Sequence, residues 1–140
     1  MIKASVSAEI HAPIEKVYSY VLDLSNMIHY NSSVKLSDWK DRDAKICKIK
    51  ISLSVIQFDS EYKILEEIPM SFFKAQCSHS TIEFIDSYEF SKTENGTLLK
   101  ISDEMKLKGL LSFSEGLVRP ILQNDMEANM KRLKGILDKI

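Results

Sequence analysis

Apolar and polar residues alternate along most of the chain, which is the pattern of half-buried β-strands. The alternation starts at residues 2–10, where Ile, Ala and Val occupy every second position. It returns in six later segments, over residues 34–40, 45–53, 56–66, 72–78, 81–91 and 97–108. Short connections between the later segments favour antiparallel pairing. The pattern therefore predicts a sheet of about seven strands.

Two short helices are predicted between the first and second strands. Pro13 suits the first turn of a helix, because its missing N–H has no intrahelical partner there. Apolar residues then follow at helical spacing, at Val17, Tyr18, Val21 and Leu22. A second short helix is predicted over residues 24–29, with Asp23 or Ser25 as its N-cap.

The C-terminal region changes to the period of an amphipathic helix. Its stripe consists of Leu122, Met126, Asn129, Leu133, Ile136 and Ile140. Pro120 is unfavourable inside a helix, so the main helix begins near Arg119 or a helical segment over residues 110–118 is kinked at the proline. The pattern predicts a single α+β domain over residues 1–140, in which a strongly curved antiparallel sheet wraps around this long helix and encloses a cavity.

Composition excludes several classes of protein. The chain has 19 basic and 20 acidic residues in an interspersed order, so no nucleic-acid partner is expected. It has neither an apolar stretch long enough to span a membrane nor the apolar core of a signal peptide, and we expect a cytoplasmic location. Cys47 and Cys77 lie in apolar strand-like sequence, which favours buried free thiols over a disulfide in a reducing compartment.

Polar residues interrupt one face of the predicted hairpin between the last two strands. Asn95-Gly96 favours a two-residue type I′ turn, which would place Phe90 opposite Ile101. Side-chain alternation then puts eight residues on one face: Phe84, Asp86, Tyr88, Phe90, Ile101, Asp103, Met105 and Leu107. In this register the two aspartates are diagonal neighbours.

Asp86, Tyr88 and Asp103 are the candidate catalytic residues. Two carboxyl groups on an apolar wall raise the pKa of at least one of them, which would place a general acid beside a general base. Tyr88 would donate a hydrogen bond to an oxygen of a bound molecule. The alternative is that both aspartates are structural and partly solvated.

Three sequence features resemble the START-like superfamily, also called SRPBCC, whose members have the helix-grip fold. They are EIHAPIEKVYSYVLD at residues 9–23, Tyr88 and Phe90 ahead of NGT at residues 95–97, and RLKGIL at residues 132–137. The resemblance implies a cavity that binds an apolar small molecule such as a lipid, sterol or polyketide. It does not fix a reaction, because the superfamily includes carriers, cyclases, aromatases and chaperone regulators.

Our leading hypothesis is binding or transport of a hydrophobic or amphipathic molecule, without a cofactor and without integral membrane association. The alternatives are a cyclase or aromatase that uses the aspartates, and a protein-interaction module of co-chaperone type with an exposed apolar patch. The sequence leaves the oligomeric state open. The candidate ligand-binding residues are Phe58, Tyr62, Phe84, Tyr88, Phe90, Asp103, Met105, Phe113, Leu117, Leu122, Met126, Asn129 and Met130.

Asn129 has two interpretations, as a hydrogen-bond partner of the bound molecule or as a satisfied core amide. His11, His29 and His79 lack the spacing of metal ligands, so no metal site is expected. We expect the bound molecule to pass near residues 27–33 and the segment before Pro120, which look the least constrained parts of the chain.

Overall fold

The computed structural model describes residues 1–139, so Ile140, the last member of the predicted stripe, lies outside the described residues. The strands are β1 (Ile2–Ile10), β2 (Val34–Asp41), β3 (Ile46–Leu53), β4 (Ile56–Ile68), β5 (Phe72–Ser78), β6 (Ile82–Thr93) and β7 (Gly96–Leu107). The α-helices are α1 (Ile14–Leu22) and α2 (Glu115–Leu137). Two 3-10 helices, η1 (Leu24–His29) and η2 (Gly109–Ser114), precede β2 and α2.

The strands form one antiparallel sheet in the order β1-β7-β6-β5-β4-β3-β2. Consecutive strands from β2 to β7 are neighbours. Strand β1 pairs with β7, so β1 and β2 are the two edge strands of the sheet. Helix α2 packs against β1, and the buried side chains of the sheet and the helices form a common core. This arrangement confirms the predicted α+β helix-grip fold.

The hairpin between β6 and β7 differs from the prediction in its register. Thr93 pairs with Gly96 and Phe90 with Leu99, rather than with Ile101. The turn therefore consists of Glu94 and Asn95. A shift of two residues leaves every side chain on its predicted face, because alternation has a period of two.

Gly96 explains the shift, because it is required in the strand and not in the turn. A Cβ atom at this position would clash with the backbone carbonyl oxygen of Ile10. Among residues 1–139, positive φ angles occur at Lys45, Ser54, Met70 and Gly109. The turn is therefore not of type I′, which needs positive φ at both central residues.

Helix α2 starts at Glu115, so the predicted start near Arg119 is wrong. The preceding segment is helical, as the alternative proposed, but it is the separate 3-10 helix η2. Pro120 lies in the second turn of α2, close to the helix start. Because Pro120 has no N–H, one intrahelical hydrogen bond is missing near the N-terminus of α2. The hydrogen bonds of the long C-terminal part are unaffected.

Burial of the two cysteines confirms the predicted free thiols. Cys47 and Cys77 are both buried and unbridged. Desolvation raises the pKa of each thiol to about 11, so neither is a reactive thiolate near neutral pH. No helix within residues 1–139 is long and apolar enough to cross a membrane.

Candidate functional site

A cavity of about 100 Å³ lies between the concave face of the sheet and α2. Strands β6 and β7 line it with Phe84, Asp86, Tyr88, Ile101, Asp103 and Met105. Helix α2 lines it with Leu122, Asp125, Met126, Asn129, Met130 and Leu133. The remaining wall comes from β1, β3, η1 and the segment after η1, through Val6, Met27, Tyr30, Asn31, Ser33, Ile51 and Leu53.

The structure brings most of the predicted site residues to this cavity. All three candidate catalytic residues line it, and so do Phe84, Met105, Leu122, Met126, Asn129 and Met130. Five predicted lining residues do not: Phe58, Tyr62, Phe90, Phe113 and Leu117. Whether any of these residues contacts a bound molecule remains a prediction.

Phe113 and Leu117 were placed wrongly, because the segment before Pro120 lies outside the cavity. Phe113 is 89% exposed in η2, which has no buried residue, and Leu117 is 62% exposed. The face of α2 that packs on the sheet starts at Val118 and continues through Leu122, so Leu117 points away from it. With Leu110 these residues form an exposed apolar segment of the kind that an interaction module would need.

Phe58 and Phe90 are buried elsewhere in the core. The Phe90 ring packs edge-on against the Tyr18 ring, at 5.0 Å between centroids. The Phe58 ring lies 4.8 Å from the imidazole of His79. Tyr62 is fully buried behind the cavity wall, where its hydroxyl group reaches two lining residues.

Tyr62, Asp86, Tyr88 and Asp103 form a connected group, which we call the tyrosine–aspartate cluster. Asp86 and Asp103 are direct cross-strand partners, not diagonal neighbours, so their carboxyl groups are close enough to influence each other's pKa. The Tyr62 hydroxyl donates to Oδ2 of Asp86 at 2.5 Å. Its oxygen lies 2.8 Å from the Tyr88 hydroxyl oxygen. Because the Tyr62 hydrogen is directed to Asp86, Tyr88 donates to Tyr62.

The pKa of both carboxyl groups is raised, and the hydrogen bond that Tyr62 donates to Asp86 favours Asp86 as the ionised member of the pair. Desolvation, followed by the charge of Asp86, raises the pKa of Asp103 well above its ordinary value. Desolvation also raises the pKa of Asp86, but hydrogen bonds from Asp103 and Tyr62 oppose this rise. Asp103 is 5% exposed, and its Oδ1 atom has no hydrogen-bond partner among residues 1–139. This burial does not fit the alternative of a partly solvated carboxyl group at Asp103, whereas Asp86 is half-buried and remains compatible with it.

The three tyrosines at the site stay neutral, but they differ in their hydrogen bonds. Burial raises the pKa of Tyr62 and Tyr88 well above the usual value, and that of Tyr30 also rises. Tyr62 and Tyr88 are both engaged within the cluster. The Tyr30 hydroxyl lies at the cavity without a hydrogen bond to any described residue.

The segment after η1 is bound to α2 by a second polar group, which we call the helix latch: Ser32, Ser33, Asp125, Asn129 and Arg132. The Ser32 and Ser33 hydroxyls donate to the two carboxylate oxygens of Asp125 at 2.7 and 2.8 Å. The backbone N–H of Ser32 donates to Oδ1 of Asn129 at 3.1 Å. The expectation that residues 27–33 are unconstrained is therefore wrong for the end of that segment.

The hydrogen bonds of Asn129 within the latch favour the second interpretation of this residue, a satisfied core amide. Its Oδ1 also accepts from Arg132 at 2.5 Å, and its Nδ2 donates to Asp125 at 3.3 Å. Arg132 additionally donates from Nε to the carbonyl oxygen of Tyr30 at 2.9 Å. Both polar atoms of the amide are thus engaged without a bound molecule.

Sequence reasoning missed Tyr30 and Asp125 as lining residues. Asp125 is three residues after Leu122 and four before Asn129, so helical periodicity alone would have placed it on the inward stripe. Tyr30 lies just past η1, three residues after the buried Met27, a spacing that also indicates the inward face. No group of three or more His, Cys, Asp or Glu residues within residues 1–139 is placed to hold a metal ion.

Comparisons with known proteins agree with this architecture. The model of the family described as polyketide cyclase / dehydrase and lipid transport matches residues 1–138. A START superfamily protein from Mycobacterium smegmatis is similar in structure, with a TM-score of 0.80, 13% identity and coverage of 98% of this chain and 97% of that chain. A conserved protein from Geobacillus kaustophilus gives a TM-score of 0.80 at 11% identity, over 99% and 96% of the two chains.

A third similar structure is StfQ, a di-domain ARO/CYC protein of the steffimycin biosynthetic pathway. The TM-score is 0.75 at 10% identity, and the match covers 99% of this chain and 51% of that one. At such low identities these structures establish the fold alone. The search of curated proteins found no match.

Proposed function

Because the chain belongs to the polyketide cyclase / dehydrase and lipid transport family, we propose that it binds a small hydrophobic or amphipathic molecule between the sheet and α2. The observation that carries this proposal is the cavity itself, whose wall is mostly apolar and has polar groups at β6 and β7 and at the helix latch. Sites for small molecules generally combine an apolar lining with a few polar groups that fix orientation.

The size of the cavity restricts what it holds. Its volume is about 100 Å³, whereas an apolar cavity of about 150 Å³ accommodates benzene. The part of the ligand that is buried here is therefore no larger than a small ring or a short branched chain. A sterol or a polycyclic polyketide would require the sheet and α2 to separate.

Burial of such a group gives modest affinity. Removing about 150 Å² of apolar surface from water contributes about 4 kcal/mol, which corresponds to a dissociation constant in the millimolar range before the costs of association. Tighter binding therefore requires the polar groups of the wall.

Native mass spectrometry of protein purified gently from its host tests the proposal. We expect a small molecule to accompany the wild type and Leu117→Trp, whose substitution lies on the exposed face of α2. Met126→Trp would fill the cavity and exclude the molecule. Xenon, which enters empty apolar cavities, provides a second readout by ¹²⁹Xe NMR. Equal loading of Met126→Trp and the wild type, or a wild type that takes up neither xenon nor a small molecule, would contradict the proposal.

The carboxyl pair supports a second candidate function, general acid–base catalysis on the bound molecule. The ionised carboxylate of Asp86 would accept a proton, and the protonated Asp103 beside it would return one. Hydrogen–deuterium exchange at the α-carbon of 2-butanone, followed by NMR in D₂O, measures the first step. We expect faster exchange with the wild type than with Asp86→Asn. Exchange no faster than in buffer would remove this candidate.

A further inference from the structure

The charged residues that line the cavity all have the same sign. They are Asp86, Asp103 and Asp125, and no Lys, Arg or His is among the described lining residues. The Asp125 carboxylate accepts hydrogen bonds from two serine hydroxyls and the Asn129 amide. The Asp86–Asp103 pair keeps one negative charge in a desolvated site with no cationic partner there, which is an unfavourable arrangement by itself.

The hydrogens of the tyrosine–aspartate cluster are all used within the cluster. The Tyr88 hydrogen is directed to Tyr62 and the Tyr62 hydrogen to Asp86. A proton retained by Asp103 would be directed to the neighbouring carboxylate of Asp86. What Asp86, Tyr88 and Asp103 present to the cavity is therefore lone pairs. A polar group of a ligand that contacts this wall must donate hydrogen bonds.

The rest of the lining is compatible with a cation. Tyr30, Phe84 and Tyr88 contribute aromatic rings to the cavity wall, and aromatic faces attract ammonium groups. The Tyr30 hydroxyl has no hydrogen-bond partner among the described residues, so it can accept from a donor as well as give to an acceptor.

We propose that the cavity takes a small organic amine in its ammonium form, with the N–H groups donating to the Asp86–Asp103 pair and the hydrocarbon part against the apolar wall. This inference rests on the proposed binding function and names the class of ligand. The ammonium supplies the positive charge and the donors that the cluster lacks, while the cavity volume limits the hydrocarbon part to a few carbons.

A matched series of ligands tests the inference: isobutylamine, isobutanol, 2-butanone and isopentane, all of similar size. Affinities are measured by ligand-observed NMR titration at neutral pH. We expect isobutylamine to bind at least about tenfold more tightly than isobutanol, because its hydrogen bonds are charge-assisted. We expect isobutanol to bind more tightly than isopentane. 2-Butanone can only accept hydrogen bonds, so its affinity should benefit least from the cluster.

Two variants identify the group responsible. Asp103→Asn keeps an N–H that donates to Asp86 and a carbonyl that accepts, so it should retain the preference for the amine. Asp86→Asn combined with Asp103→Asn removes the charge of the pair, and the ratio of amine to alcohol affinity should then fall to near one. Asp59→Asn, on the exposed side of β4, is the control for a charge lost elsewhere.

The outcomes separate the two proposals. Binding of isopentane with no advantage for the amine, or a ketone that binds as tightly as the amine, overturns the inference and leaves the proposed function standing. Failure of all four ligands and of xenon to bind overturns both. The ligand series on the wild type decides the question even if the double variant does not fold.

Discussion

The tyrosine–aspartate cluster and the helix latch face the same cavity from opposite sides, and they differ in how completely their polar atoms are paired. In the latch, both oxygens of Asp125 and both polar atoms of Asn129 have partners. In the cluster, the Oδ1 atom of Asp103 has no hydrogen-bond partner among residues 1–139. A fully paired polar group holds elements together, whereas a buried group short of partners marks a place for a ligand.

Removing the Asp125 carboxylate should produce the largest effect and would show that the latch is structural. Asp125→Ala leaves two serine hydroxyls and the Asn129 amide without their acceptor, and we expect a loss of about 3 kcal/mol in the free energy of unfolding. Urea denaturation measures it. Asn124→Ala, an exposed neighbour on α2, is the matched control and should change stability by less than about 0.5 kcal/mol. Similar losses in both variants would contradict the structural role.

Deleting single tyrosine hydroxyls compares a paired group with an unpaired one. Tyr62→Phe removes the donor to Asp86 and the acceptor of Tyr88, and should lower the free energy of unfolding by about 2 kcal/mol. Tyr30→Phe deletes a hydroxyl that bonds to no described residue, and should cost less than about 0.5 kcal/mol. Thermal and urea denaturation of both variants would show the difference, and a reversed order would count against the hydrogen-bond assignment.

The smallest expected effect is a gradual change in the free energy of unfolding with pH. Since burial raises the pKa of Asp103 above its unfolded value, the unfolded chain loses this proton first as pH rises above about 4. The folded state therefore loses stability from that pH up to the folded pKa, by at most about 1.4 kcal/mol per pH unit and proton. Below about pH 4 the carboxyl is neutral in both states and the effect vanishes.

Asp103→Asn isolates this contribution, because it keeps the shape of a neutral carboxyl group. The difference in unfolding free energy between wild type and variant should move in favour of the variant as pH rises from about 4. The groups around Asp103 are Asp86 and Tyr88 on β6, Tyr62 on β4, Glu104 on β7, Tyr30 after η1 and Asp125 on α2. Parallel stability curves would mean that Asp103 titrates as it does in the unfolded chain.

The sequence predicted the sheet and its inward face well, because both follow from periods of two and 3.6 residues. The hairpin register was off by two positions, yet Asp86, Tyr88 and Asp103 still reached the predicted face. The error arose from Gly96, whose contact with Ile10 is distant in sequence and invisible to turn preferences.

The parts of the site that were missed depend on tertiary contacts. Helical periodicity gives the inward position of Asp125, but it does not reveal that the serines of the segment after η1 are its hydrogen-bond partners. Leu117 was predicted to line the cavity because it is apolar, but the face of α2 that packs on the sheet begins at Val118. Periodicity gives the face of an element reliably, but it does not give the ends of the element or the partner that it meets.

The pairing of β1 with β7 has a consequence for the order in which the molecule assembles during synthesis. Strand β1 leaves the ribosome before the other strands of the sheet, yet its strand partner follows only after β2–β6. The strands from β2 onward can pair with their sequence neighbours as they emerge, whereas β1 must wait as an unpaired edge. The cavity does not exist until α2 emerges and covers the sheet, so a nascent chain halted before Glu115 exposes the entire inner face to chaperones.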